Sequence, residues 1–333
     1  MTVIISLIDS FCITLMCKIL AMTITQLQYV LAVAEYQNFT LAAEKSFVTQ
    51  PTLSMQVQKL EDELDVLIFD RSKKPISVTN VGKKIVAQAK VIVNEAGRIK
   101  DIVDQDKGFI GGDFTLGIIP TVMPTLLPMF LKTFITRYPK VNLIIKEQST
   151  ESLIKNIQDG HLDAAIAATP LEIEFIKERP LYYEPFVGYI TSEHRLSSIK
   201  ELTVEDLDVS DILLLQDGHC FRDGVLNLCK TPKKIGEEHF KLQSGSFETL
   251  VNLSNEGLGM TLLPYLNSME LSPENKKNIK HFKEPSPARE VSIIYHKNEL
   301  KIQITDALRD VITSIVKGAI TFQDVKIISP LSK

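Results

Sequence analysis

The sequence predicts an α/β protein built in parts: a winged helix-turn-helix, a long helix after it, and an α/β effector region of two lobes over the remainder. Three observations predict this. Two short amphipathic helices joined by a tight turn precede a hairpin and a basic stretch, an apolar seam then repeats at heptad spacing, and beyond residue 113 short apolar runs alternate with helical stretches. The expected divisions are 1–21, an N-terminal extension; 22–80, the winged DNA-binding domain; 81–110, a linker and dimerisation helix; and 113–333, the two-lobed effector domain.

Met1 to Ala21 is apolar but fits no targeting segment well. Its one basic residue, Lys18, follows the apolar run where a secretory signal wants it before, and Asp9 and Lys18 would burden a membrane span. The favoured reading is translation from Met22, with a weak anchor or an ordinary appended segment as alternatives.

From Met22 the pattern sharpens. Thr25 is placed to cap a helix carrying Leu27, Val30, Leu31 and Ala34, and Thr40 a second through Leu41, Ala42, Ala43 and Phe47. Thr49 and Pro51 open a third, whose buried stripe is Leu53, Val57, Leu60 and Leu64. Pro51, Thr52, Met55 and Lys59 then face outward, flanked by Gln50 and Gln56. Ile76 and Val78 with a turn near Lys73 to Pro75 read as a wing. A small helical bundle with merely solvated polar residues would give a similar pattern. However, residues 71–100 hold eight basic residues against one acidic, the footprint of phosphate contact. Thr49, Gln50, Pro51, Thr52, Ser54, Gln56 and Lys59 are therefore the expected base-facing set, with Arg71, Lys73 and Lys74 on the backbone.

The long helix follows from Ile85, Ala89, Ile92, Ala96, Ile99 and Val103, a seam expected to join two copies of the chain. Strands are then expected at 114–118, 141–145, 162–167, 212–215, 240–242 and 260–263. Helices are expected near 125–137, 150–159, 221–229, 246–256 and 300–317, giving largely parallel sheets.

The whole chain carries 37 basic and 41 acidic residues, a net charge of −4, so any polyanion site must be local. At 333 residues and 44% hydrophobic it can bury two or three cores. Four cysteines are too few for a secreted disulfide scaffold, which points to a reducing cytoplasm. Motifs for hydrolase, nucleotide or zinc-protease chemistry do not occur, so no enzyme, cofactor or metal is expected. Zinc on His219, Cys220, Cys229 and His239 matches no common spacing, and Cys229, after Val225 and Leu228, reads on its own as a small core residue.

The stretch LQYVLAVAEYQNFTLAAEKSFVTQPTLSMQVQKLEDELDVLIFDRSKKPISVTNVG resembles the winged helix-turn-helix of LysR-type transcriptional regulators. The segments LGIIPTVMPTLLP, LLLQDGHCFRDGVLNLC, SFETLVNLSNEGLGMTLLP and EPSPAREVSIIYHK resemble the peroxide-sensing members of that family. The resemblance implies a periplasmic-binding-protein-like effector domain and a homotetramer on double-stranded operator DNA. RNA polymerase is the implied partner, hydrogen peroxide the signal, and oxidative-stress genes the targets. It also implies that Cys220 reacts with peroxide and Cys229 resolves. Thr121, Thr150, His219, Arg222, Asp223, His239 and Arg289 would bind peroxide or activate the thiol. Two departures stand out: Glu290 beside Arg289, whose charge would offset the arginine, and Met123 where a smaller residue is commoner. A cysteine beginning a helix beside His219 and Arg222 is expected to have a lowered pKa. With 221–229 helical the two thiols would stand about 13 Å apart, against the roughly 4.4 to 6.8 Å between Cα atoms that a disulfide needs, so the bond would require the helix to unravel. The competing reading is a regulator whose interlobe cleft takes a small co-inducer.

Overall fold

The computed structural model describes residues 22–106, 110–229, 244–320 and 325–331. The chain divides into two compact units at about residue 103.

In the first unit, α1 (Ile24–Tyr36), α2 (Phe39–Lys45) and α3 (Gln50–Leu64) form the expected trihelical body, but two caps sit elsewhere than the sequence suggested. Thr23 rather than Thr25 starts α1, in a capping box where its hydroxyl accepts from Gln26 N at 3.2 Å and Gln26 Oε1 accepts from Thr23 N at 2.8 Å. Asn38 rather than Thr40 starts α2, its side-chain Oδ1 accepting from the amides of Thr40 and Leu41. Thr49 does precede α3, with Pro51 in the first turn, though its hydroxyl meets Thr52 Oγ1 at 2.8 Å instead of a backbone amide. Leu53, Val57 and Leu60 are fully buried, whereas Leu64, the last residue of the helix, is exposed. Phe47 is not in α2. It occupies the turn at φ 55° and is 96% exposed.

The wing is a two-strand hairpin, β1 (Phe69–Asp70) against β2 (Ser77–Val78). Its fastening is Glu61, buried in α3, whose Oε1 accepts from the amides of Ile68 and Phe69 while Oε2 pairs with Arg71 at 2.9 Å. The linker helix α4 (Asn80–Asp106) divides its seam: Ile85, Ala89 and Ile92 pack on the winged domain's own core, and Ile99, Ile102 and Val103 are exposed.

In the second unit the first lobe is built on β3 (Gly112–Ile118), β4 (Val141–Glu147) and β5 (Ala164–Thr169), with α5 (Met123–Arg137) and α6 (Thr150–Gln158) between them. β3 pairs in parallel with both β4 and β5. The long strand β6 (Ile176–Tyr189) leads to the second lobe, which comprises β7 (Glu201–Leu202), α7 (Cys220–Leu228), α8 (Phe247–Asn255), β8 (Thr261–Pro264), α9 (Tyr265–Met269) and β9 (Ile279–Phe282). β10 (Ser286–His296) returns to the first lobe, where α10 (Ile302–Val316) packs, and β11 (Val325–Ile327) runs beside its start. The sheet order is β4-β3-β5-β10-β6-β9-β7, with β8 on β6 and β11 on β10. It is mixed rather than largely parallel, because β10 runs antiparallel to both β5 and β6. Each lobe has its own apolar core: Phe114, Leu116, Ile166, Ile293 and Leu308 belong to the first, and Phe186, Phe221, Val225, Met260 and Leu262 to the second. Residues 212–215 make only a single bridge, Ile212 to Met260, and the expected strand at 240–242 lies outside the described residues.

No helix among the described residues is long and apolar enough to cross a membrane.

Candidate functional site: a thiol at a helix start between two lobes

The site forms where α7 of the second lobe points its first residue at the first lobe. His219 is the N-cap and Cys220 the first helical residue. Cys220 Sγ lies 2.8 Å from the hydroxyl of Thr150, which itself begins α6 behind the cap of Ser149. The side chain of Cys220 packs against the first lobe's core, although its backbone belongs to the second; Cys229, which closes α7, packs against the second lobe's core. Both thiols are free.

The expected depression of the Cys220 pKa is not what the surroundings produce. Burial pushes the thiol above its ordinary value; the Thr150 hydrogen bond acts downward, the Asp223 carboxylate upward, and Arg289 downward by less. Burial lowers the His219 pKa against the smaller upward pull of Glu147, which disfavours the charged imidazole beside the thiol. Arg222 is turned away: its Nε pairs with Asp217 at 2.9 Å and its guanidinium donates to the Leu215 carbonyl, fixing the loop before α7. Asp223 has a raised pKa, chiefly from burial. Cys229 is pushed up to about 11 by burial and by Asp208 and Asp211.

Arg289 organises the floor of the site without touching the thiol by any hydrogen bond among the described residues. It lies opposite Glu184 in the β10–β6 ladder and donates to Glu184 Oε2 from Nε at 2.9 Å and from one terminal nitrogen at 2.7 Å. It also donates to the Thr121 hydroxyl at 2.9 Å and the Thr121 carbonyl at 3.0 Å, and its guanidinium lies 5.5 Å from the Phe221 ring centre. Glu184 is completely buried, and its other oxygen accepts from Leu266 N at 2.9 Å. The charge that offsets Arg289 is therefore Glu184. Glu290 faces the other side of β10, as alternation along a strand requires, and accepts from Thr169. Sequence reasoning missed Glu184 because only the strand register sets it beside an arginine 105 positions later. Met123 begins α5, two residues past Thr121, and is half-buried against the first lobe's core. His239 lies outside the described residues. Among those described, no cluster of His, Cys, Asp or Glu could hold a metal.

On the winged domain, Thr49 at the cap of α3 and Gln50, Pro51, Thr52 and Lys59 within it are exposed, and Ser54 and Gln56 are half-exposed. Lys73 and Lys74 project from the wing tip, Lys73 within 3.6 Å of Asp70. Arg71 stands apart from them: bonded to Glu61 and set over the Phe39 ring at 4.8 Å, it is part of the wing's fastening.

A recognition helix beside a wing, joined by a long helix to a two-lobed α/β domain, defines a DNA-binding regulator of the two-domain bacterial type. Residues 24–83 match the model of the bacterial regulatory helix-turn-helix protein, lysR family, and residues 107–316 that of the LysR substrate binding domain. The chain belongs to the LysR family. It is 32% identical over 298 residues to the hydrogen peroxide-inducible genes activator of Pectobacterium carotovorum, covering 89% of this chain and 98% of that one. It is 34% identical over 277 residues to the DNA-binding transcriptional dual regulator OxyR of Escherichia coli, covering 82% and 89%. Among solved structures it is similar to full-length OxyR of Pseudomonas aeruginosa bearing a cysteine-to-aspartate substitution, with TM-score 0.70, 34% identity and coverage of 88% and 98%. A hydrogen-peroxide-bound cysteine-to-serine variant of Corynebacterium glutamicum OxyR matches with TM-score 0.59 and 28% identity, covering 92% and 98%.

Proposed function

We propose that this protein is a cytoplasmic transcription regulator that senses hydrogen peroxide by a Cys220–Cys229 thiol–disulfide switch and controls oxidative-stress genes. The observation that carries the reading is the placement of Cys220: a helix-start thiol hydrogen-bonded to Thr150, with a second thiol at the far end of the same helix. The relatives named as peroxide-inducible activators support the same reading.

The ionised Cys220 sulfur attacks one peroxide oxygen. The O–O bond breaks, the departing oxygen leaves as hydroxide and takes a proton to become water, and Cys220 is left as sulfenic acid. Thr121 and Thr150 present hydroxyls to orient the peroxide, and His219 stands at the helix start as a neutral hydrogen-bonding group. Because burial holds the Cys220 thiol protonated, the first step draws on a minor thiolate fraction, and Thr150 and the helix N-terminus favour that fraction. Cys229 then attacks the sulfenic sulfur. The S–O bond breaks, a second water leaves, and one peroxide has oxidised two thiols to a disulfide. Eight helical residues lie between the two cysteines, so α7 unwinds as the bond forms.

On the DNA side, Thr49, Gln50, Pro51, Thr52, Ser54, Gln56 and Lys59 face the major groove, and Arg71, Lys73 and Lys74 hold phosphates. The domain divisions are 22–80, 81–110 and 113–333. Two copies pair through the exposed end of α4, two pairs make a homotetramer on the operator, and RNA polymerase is the downstream partner.

Intact mass before and after one equivalent of peroxide tests the switch, with the mapped product a Cys220–Cys229 bond. Cys220→Ser abolishes the response, and Cys229→Ser accumulates a sulfenic acid that dimedone traps. If Cys220→Ser and wild type respond alike from matched reduced states, the redox account fails and a co-inducer in the interlobe cleft replaces it.

A further inference from the structure

We propose that Asn227 is a positioning residue for disulfide formation, and that with residues 325–331 it makes a strap that holds α7 helical until oxidation releases it. The inference rests on the Cys220–Cys229 switch proposed above. Residues 325–331 are secured on one side by the sheet: β11 runs parallel to Ser286–Ala288 at the start of β10, and Ile328 N donates to the Ala288 carbonyl at 2.8 Å. Ile328 packs against the second lobe's core and Pro330 is buried. On the other side the only side chain of α7 bonded to the strap, among the described residues, is Asn227. Its single amide nitrogen donates to the carbonyls of Ser329 at 3.1 Å and Leu331 at 2.8 Å, using both of its hydrogens.

This tie falls on the segment that has to move. Asn227 is two residues before Cys229, in the last turn of α7. That helix also contains Gly224, and glycine and asparagine are both poor helix formers, so nine residues with such a composition depend on tertiary ties to stay wound. Unwinding α7, so that Cys229 Sγ can displace water from the Cys220 sulfenic acid, carries Asn227 away from both carbonyls. The strap then loses its hold on this side, one residue along β10 from Arg289. Reduced α7 and a docked strap thus stabilise each other, and disulfide formation must overcome both.

Two measurements on the full chain test this. The first is amide exchange of peptides covering 325–331 in the reduced protein and in protein oxidised by one equivalent of peroxide, with intact mass recorded on the same samples. Exchange at the strap should accelerate at least about tenfold on oxidation, while peptides from β3 and β5 stay unchanged. The second is the redox equilibrium of Asn227→Ser, whose side chain is too short to reach the carbonyls and whose helix propensity is close to that of Asn. Its dithiol–disulfide equilibrium against a glutathione couple should shift about tenfold toward the disulfide, a potential about 30 mV more negative. Unchanged strap exchange in protein whose mass shows the disulfide overturns the strap alone, as does an unchanged potential in Asn227→Ser. Absence of the disulfide from the mass spectrum overturns the switch and the strap together.

Discussion

Replacing Arg289 with Met removes a cation that is 4% exposed and leaves Glu184, 0% exposed, with no opposite charge beside it. Four hydrogen bonds disappear together, two to Glu184 Oε2 and two to Thr121. Breaking a buried ion pair from one side costs about 3–5 kcal/mol, since the remaining charge stays desolvated. In a unit of this size each kcal/mol lowers the melting temperature by about 2–4 °C, so a fall of about 6–20 °C is expected. The assay is thermal unfolding under reductant, followed by circular dichroism. Adding Glu184→Gln, which keeps an acceptor for Leu266 N but removes the charge, should recover part of the loss, with a coupling of about 1–3 kcal/mol in the double-mutant cycle. A cost below about 1 kcal/mol for Arg289→Met, or strictly additive single costs, would refute the view that the pair is the keystone of the interlobe floor.

Further outcomes are expected at the thiols, at Thr150 and at the wing. The rate of Cys220 modification by peroxide or iodoacetamide should climb about tenfold per pH unit from 7 upward, because its pKa stands above the ordinary thiol value, and a rate that plateaus near pH 7 would contradict this. The folded state holds its thiol protons more tightly than the unfolded chain. The contribution to stability is therefore full below the ordinary value of 9.0 and is lost as pH rises toward about 11, the Cys229 value, which urea titration across that range would read. Thr150→Val removes the hydroxyl 2.8 Å from Cys220 Sγ and should slow the first oxidation step in stopped-flow without preventing the disulfide at excess peroxide; an unaltered rate constant speaks against a role for that hydroxyl. Lys73→Ala with Lys74→Ala should weaken binding to all duplex sequences alike and flatten the salt dependence by about 0.9 log units for each phosphate no longer neutralised. Arg71→Ala should also cost about 1–3 kcal/mol of stability through Glu61, and an intact melting temperature would refute that fastening.

What the sequence made legible was local. The stripe Leu53, Val57, Leu60 needed only helical periodicity, and all three are buried. The start of α7 at Cys220 and the helices at 123–137, 150–158 and 302–316 likewise follow from chain-local patterns. The two long strands did not. β6 carries Pro180 and Pro185, which argue against a central strand, and Pro180 is tolerated because it sits where the β10 register shifts between Val291 and Ser292. Missing β6 and β10 meant missing their antiparallel pairing, and with it Glu184, whose partner is fixed by register. The thiol's electrostatics were misjudged for a related reason: adjacency in sequence put Arg222 and His219 beside Cys220, whereas the fold pairs the first with Asp217 and lowers the pKa of the second by burial. The cap at Thr23 was within reach, since Thr23 and Gln26 have the spacing of a capping box.

The division of the two thiols between two cores has a consequence for how a chemical event becomes a mechanical one. Cys220 is borne by the backbone of the second lobe and seated in the first, so its side chain works as a peg across the seam, with Thr150 as the socket. A disulfide to Cys229 is a bond wholly internal to the second lobe, and under the proposed switch Cys220 leaves its seat as that bond forms. Oxidation under the proposed switch therefore subtracts an attachment between lobes at the moment it adds a covalent bond within one, and the lobes can settle at a new angle without any ligand between them.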